Sequence, residues 1–287
     1  MAVDVGLVTG RLVGCVEGAG GVRLAVREAG RTEAPPFVFL HGWSASGSAW
    51  ARQLADPELT AHHRLVALDL RGHGESDTPD PAGGGYADPA VWAADVAAVL
   101  ERTGPAVLVG WSYGGLVIAD YLRERGTAGV RGIVLVDAIT EIGPGNPGGE
   151  VGPAWDGLMR PALSEDPAVA VPALTAFAGR MTATPLPGAG VQRLVSDMLR
   201  VPPAVRAALF RRTLGSAEVL AGVSVPALVV HGERDEVISP RAAEYAAGKI
   251  PGAQMRWFED VGHMPFAERT DAFDTVLLEF AGSTTSH

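Results

Sequence analysis

A single cysteine, Cys15, leaves this chain of 287 residues without an internal disulfide and without the cysteine pairs of a zinc site. It is expected to be a small apolar residue of an early strand. Positive charge is also scarce: 23 basic residues face 33 acidic ones, the net charge is -10, and Lys249 is the only lysine. Phosphate backbones require a basic footprint, so no nucleic-acid partner is expected. No run of about 18 apolar residues is free of charge, and no membrane span is expected. The first twenty residues, MAVDVGLVTGRLVGCVEGAG, lack the basic start and unbroken apolar run of a signal peptide, so a cytoplasmic location is expected. There is no phosphate loop, dinucleotide fingerprint or H-E-x-x-H spacing, and hence no cofactor and no metal are expected. His62, His63, His73, His231 and His287 are read as structural or solvated.

Apolar residues, in contrast, make up 47% of the chain, enough to bury a sizeable core. Short apolar runs alternate with helical stretches, the pattern of a mostly parallel sheet covered on both faces. Strands are predicted at 11–17, 21–29, 36–40, 64–70, 106–111, 131–136, 225–231 and 254–259, the first two as an antiparallel hairpin. Helices are predicted at 48–55, 88–102, 113–125, 239–249 and 266–281. The alternation breaks between Asp137 and Gly222, where a turn-rich segment (143–153) precedes helical patterns at 191–200 and 203–214. This reads as a core of residues 1–137 and 223–287 with a helical cap or lid, 138–222, inserted above the carboxyl ends of the strands.

The segment VLVGWSYGGLVIADYL (107–122) runs from an apolar strand through Gly110-Trp111-Ser112-Tyr113-Gly114 into an apolar helix. That is the G-x-S-x-G strand-turn-helix pattern of a nucleophile elbow. A serine on so sharp a turn projects above the sheet, and the residues two before and two after it must be small. The helix that follows brings its first N–H groups near a developing oxyanion.

A serine hydroxyl needs a base within reach, oriented in turn by an acid. The acid and then the histidine should follow the serine in sequence. PALVVHGERDEVISP (226–240) ends a strand in a turn carrying Asp235, and MRWFEDVGHMPFAE (255–268) ends one in a loop carrying His263. Asp137, closing the strand IVLVD (133–137), is the rival acid. Glu233 and Glu236 are read as solvated. Two backbone donors should form the oxyanion hole. They are assigned to Tyr113, after the nucleophile, and Trp43, after the early strand PFVFLHGW (36–43). His41 is read as bracing that loop.

HGWSASGSAW (41–50), LDLRGHGESD (68–77), GWSYGG (110–115), HGERDEVI (231–238) and GHMPF (262–266) together resemble the α/β-hydrolase superfamily over nearly the whole chain. The resemblance implies an α/β-hydrolase fold with Ser112 as nucleophile, Asp235 as acid and His263 as base. It further implies the Trp43 and Tyr113 amides as oxyanion hole, a cap over 138–222 and a structural role for 71–76. Serine at 112 rules against haloalkane dehalogenases and epoxide hydrolases, which carry aspartate there. The leading expectation is a serine esterase acting on a small ester, lactone or thioester. Trp155, Phe177, Met181, Met198 and Met264 are candidates for an apolar pocket. Alternatives are a perhydrolase, a carbon–carbon bond hydrolase or lyase using the same triad, and a ligand-binding sensor on a hydrolase scaffold. From Arg180 to Arg212 six arginines accompany one acid, Asp197, a locally basic stretch that could dock an acyl carrier protein or be a solvated helix face.

Overall fold

A computed structural model describes residues 12–284; the predicted strand position Arg11 and His287 lie outside the described residues. The strands are β1 (Leu12–Glu17), β2 (Arg23–Gly30), β3 (Pro36–Leu40), β4 (Arg64–Leu68), β5 (Ala106–Trp111), β6 (Val130–Val136), β7 (Ala227–Gly232) and β8 (Gln254–Phe258). They form one sheet in the order β1-β2-β4-β3-β5-β6-β7-β8. β1 and β2 pair antiparallel, as do β2 and β4, and every later pairing is parallel. β3, β4, β5 and β7 are buried along their whole length, because helices cover both faces of a parallel sheet. Their sequences are therefore unbroken apolar runs and not alternating ones.

The helices are α1 (Pro57–His62), α2 (Pro89–Thr103), α3 (Tyr113–Arg125), α4 (Met159–Ala162), α5 (Pro167–Ala178), α6 (Gly188–Arg200), α7 (Pro203–Ala208), α8 (Ala217–Ala221), α9 (Pro240–Lys249), α10 (Pro265–Glu268) and α11 (Thr270–Thr284). Proline at the first turn behind an aspartate cap starts α1, α2 and α5: Asp56, Asp88 and Asp166 each accept a backbone N–H. The stretch between β6 and β7 adds no strand to the sheet. It carries α4 to α8, of which α8 packs on α3 and α9.

Several elements depart from their predicted form. The helix expected at 48–55 is two 3-10 turns, Gly47–Trp50 and Gln53–Ala55, because the chain must bend to bury Trp50 and Gln53. The pattern at 203–214 is helical only to Ala208, beyond which Arg212 turns inward to a buried partner. The helix predicted at 266–281 breaks at Arg269. Cys15 does lie in β1, but it is only half-buried and its Sγ meets the Arg23 guanidinium at 3.2 Å. No helix among the described residues is long and apolar enough to cross a membrane.

Candidate active site

Ser112 joins β5 to α3 in the left-handed region, with φ 54° and ψ -118°. A non-glycine residue is held there only when its surroundings over-determine it. Here the Ser112 N–H donates to Val136 O at 3.0 Å, and its carbonyl accepts from Gly115 and Ile139. Gly110 and Gly114 touch each other through the turn. A Cβ on Gly110 would lie 2.7 Å from the Gly114 carbonyl carbon, and one on Gly114 would overlap Leu40 O. The small residues on either side of the serine are thus a packing necessity.

The loop after β3 lies against this turn. A Cβ on Gly42 would sit 3.0 Å from Ser112 Cβ, so the loop that carries Trp43 packs directly on Ser112. Neither the Trp43 nor the Tyr113 N–H donates to another group among the described residues. Two buried histidines hold the loop. His41 Nε2 accepts from Leu70 N and His73 Nε2 accepts from Ser44 N, while each Nδ1 faces a backbone carbonyl. Burial drives His41 down to about 4 and His73 to about 3, so both are neutral and can accept. His41 braces the loop, as expected.

Asp235 and His263 come together where the turns after β7 and β8 meet. Gly232 packs so closely on the Val261–Gly262 backbone that a Cβ would overlap it. His263 Nδ1 lies 2.7 Å from Asp235 Oδ2, and the Val237 and Ile238 amides donate to Oδ1. Burial alone would raise Asp235, but His263, His231 and the Ile238 amide hold it below the ordinary carboxylate range. Trp111, beside Ser112, donates its indole N–H to His263 O at 2.8 Å, and the two rings stand 5.4 Å apart. No hydrogen bond joins the Ser112 hydroxyl to His263 among the described residues. Links of this kind commonly close only around substrate. The rival Asp137 does not touch His263: its Oδ1 accepts from Gly232 N, and it faces His231.

Side chains from the β6–β7 stretch close over this region. Trp43 stands 5.3 Å from Trp155, 5.9 Å from Phe177 and 5.5 Å from Phe210 between ring centroids. Trp155 and Phe177, two of the predicted pocket residues, are therefore gathered beside Trp43. Met181 O accepts the His263 N–H, and Met264 follows His263; both side chains are buried. Met198, also buried, is tied to the loop only indirectly. Its carbonyl accepts from Arg206, whose own carbonyl receives the Trp43 indole N–H.

Four of the six clustered arginines have partners. Arg212 grips Asp120 at 2.6 and 2.7 Å, Arg206 is buried on backbone carbonyls, and Arg200 and Arg180 pair with Glu75 and Glu236. Glu236 is exposed apart from that contact, and Glu233 is exposed, as expected. Arg193 and Arg211 alone among the six lack a partner among the described residues.

Sequence reasoning missed several connections. Asp197 accepts from Ser46 and Ser48, Glu268 accepts from Gly262, Ala183 and Thr184, and Tyr113 accepts from Arg212. All but the Gly262–Glu268 contact tie residues far apart in the chain, and no local pattern announces them. The nearest thing to a signal was Asp197, the one acid in a basic stretch.

A model of the alpha/beta hydrolase family matches residues 37–276. Among characterised sequences, a pimeloyl-[acyl-carrier protein] methyl ester esterase of Neisseria meningitidis serogroup B is 30% identical over 249 residues, 84% of this chain and 90% of that one. A non-heme chloroperoxidase of Streptomyces lividans is 30% identical over 283 residues, 94% of this chain and all of that one. Among solved structures, the esterase RhEst1 from Rhodococcus sp. ECU1013 is 43% identical with a TM-score of 0.89, covering 94% of this chain and 98% of that chain.

Proposed function

The chain belongs to the alpha/beta hydrolase family, and on that premise we propose that it is a serine hydrolase of small carboxylic esters, with Ser112 as nucleophile, His263 as base and Asp235 as acid. The observation that carries this reading is the 2.7 Å bond from His263 Nδ1 to Asp235 Oδ2. It leaves Nε2 as the lone-pair nitrogen of a neutral ring, the tautomer a general base requires.

In the proposed reaction His263 takes the Ser112 proton as Oγ attacks the ester carbonyl. The Trp43 and Tyr113 amides receive the oxyanion, and the alcohol leaves with the proton from His263. Water, deprotonated by the same ring, then releases the acyl group. Segment 138–222 acts as the cap, with Trp155, Phe177, Met181, Met198 and Met264 confining the substrate. The esterases among the relatives support an ester. One relative's carrier-linked substrate raises a docking reading, but four of the six arginines that would serve it already have partners, which favours a small free ester.

The test is p-nitrophenol release from acetate and longer-chain p-nitrophenyl esters by wild type and Ser112→Ala. Turnover that falls at least about 10⁴-fold in the variant is expected. A folded wild type inactive on every chain length, or a Ser112→Ala variant as active as wild type, overturns the reading.

A further inference from the structure

Behind the Asp235–His263 pair lies a second, wholly buried acid–histidine pair to which the mechanism above gives no task. His231, the next-to-last residue of β7, has its ring fully enclosed. Its Nδ1 is 3.5 Å from Asp137 Oδ1 and its Nε2 is 3.7 Å from Asp235 Oδ2, the same oxygen that faces His263 Nδ1. Among the described residues neither ring nitrogen has a hydrogen-bond partner, and Asp137 Oδ2 is likewise buried without one. Asp137 is held in a left-handed conformation at φ 44°. Polar atoms left in this condition cost stability, and such strain concentrates at functional sites.

We propose that His231 is a positioning residue for the acid of the triad: lying between Asp137 and Asp235, it turns its Nε2–H to Asp235 Oδ2 and limits how strongly that oxygen draws on His263. The inference rests on the triad reading given above. Two carboxylates flank one ring, and the tautomer follows from their charges. Burial keeps His231 neutral, so it has one N–H and one lone pair. A lone pair aimed at an ionised carboxylate is repelled, so it must face the carboxyl that carries a proton. Burial, and then the charge of Asp235, push Asp137 well above the ordinary carboxylate range, whereas Asp235 is held below it. The lone pair therefore faces Asp137 through Nδ1, and the N–H faces Asp235 through Nε2. At 3.7 Å this is a charge–dipole contact and not a full hydrogen bond. The other groups around the ring are His263, the Ile238 carbonyl and the Trp257 indole, 5.6 Å away; Glu268 acts on Asp137 from α10.

The experiment follows the acid limb of the pH profile. Its readouts are kcat/KM on p-nitrophenyl acetate and the rate at which a fluorophosphonate labels Ser112, where Oγ displaces fluoride from phosphorus. His231→Phe keeps a ring and removes the N–H. Asp235 then holds a proton on the base more strongly, so the limb should move up by about half to one pH unit. On the acid side of the limb kcat should fall about 3- to 10-fold with KM changed less than about two-fold. His231→Gln keeps an N–H for Asp235 and should recover about half or more of the limb shift. Should His231→Phe not fold, Asp137→Asn still decides: a neutral partner replaces a neutral partner, and the limb should stay within a few tenths of a unit. A limb unmoved in folded His231→Phe overturns the inference, as does a His231→Gln shift as large as that of Phe. A fall of about a unit in Asp137→Asn, the mark of an ionised Asp137, overturns it as well. Wild type that neither turns over nor labels overturns the triad reading and this inference with it; labelling with superimposable profiles overturns this inference alone.

Discussion

At the scale of single residues, the site depends on positions where one atom more or one charge fewer changes the chemistry. Asp235 is such a position. Its two oxygens divide their work, Oδ1 taking two backbone amides that lock the carboxylate and Oδ2 facing His263. Asp235→Asn retains the shape but offers an amide where His263 needs an acceptor, which favours the wrong tautomer of the ring. Steady-state kinetics should then show kcat reduced about 10³- to 10⁴-fold with KM nearly unchanged. A loss below about ten-fold would mean that another carboxylate orients the base. The sequence left Asp137 as a rival because both aspartates close strands at the same rim. The sequence favours Asp235, whose turn follows the next-to-last strand, and the structure sets that residue 2.7 Å from His263 Nδ1.

At the scale of elements, α3 and the β6–β7 stretch are joined by a buried ion pair. Arg212 donates to both oxygens of Asp120 in α3 and also to the Tyr113 hydroxyl, which itself donates to Leu209 O. Burial lifts Asp120 to about 6 in spite of Arg212, so the carboxylate is ionised at neutral pH and depends on its partner. Arg212→Met removes that partner and leaves a buried charge, at a cost of about 3–5 kcal/mol in urea denaturation at pH 7.5. Adding Asp120→Leu should recover most of the loss, because an apolar pair of similar volume replaces the ionic one. If the double variant is no more stable than Arg212→Met, the pair is not what holds these elements together. None of this was legible in the chain, where Arg212 is one arginine of six in a basic stretch.

At the scale of the whole molecule, buried titratable groups pull stability in opposite directions with pH. His41 and His73 have folded-state values pushed below the ordinary histidine value, so their contribution is present above about pH 6.5 and is lost as the pH falls toward 4 and 3. Asp274 works the other way. Burial lifts it to about 7, the folded protein binds the extra proton, and its contribution falls as the pH rises from about 4 to 7. Gln53 Nε2 donates to Asp274 Oδ1, while Gln53 Oε1 and Asp274 Oδ2 are both buried without partners among the described residues, an arrangement that a protonated carboxyl would complete. Asp274→Asn supplies that donor at every pH. Thermal melts should show it more stable than wild type by about 2–6 °C at pH 8, with the gain vanishing near pH 4. A gain independent of pH would place the effect elsewhere than in this proton.

Composition and pattern alone were sufficient for the eight strands, for several of the helices, and for the rim residues Ser112, Asp235 and His263 as candidates. Apolar runs, glycine-flanked turns and strand ends are local features, governed by the residues that display them. What only the tertiary structure decided are the meetings of distant residues. These are the contact of Asp235 with His263, the enclosure of His231 between Asp235 and Asp137, the Trp43 ring cluster, and the burial of Arg206 and Arg212. Each depends on which side chains the fold removes from water and sets side by side. Burial and long-range pairing belong to the packed chain as a whole and leave no trace in any short stretch of it.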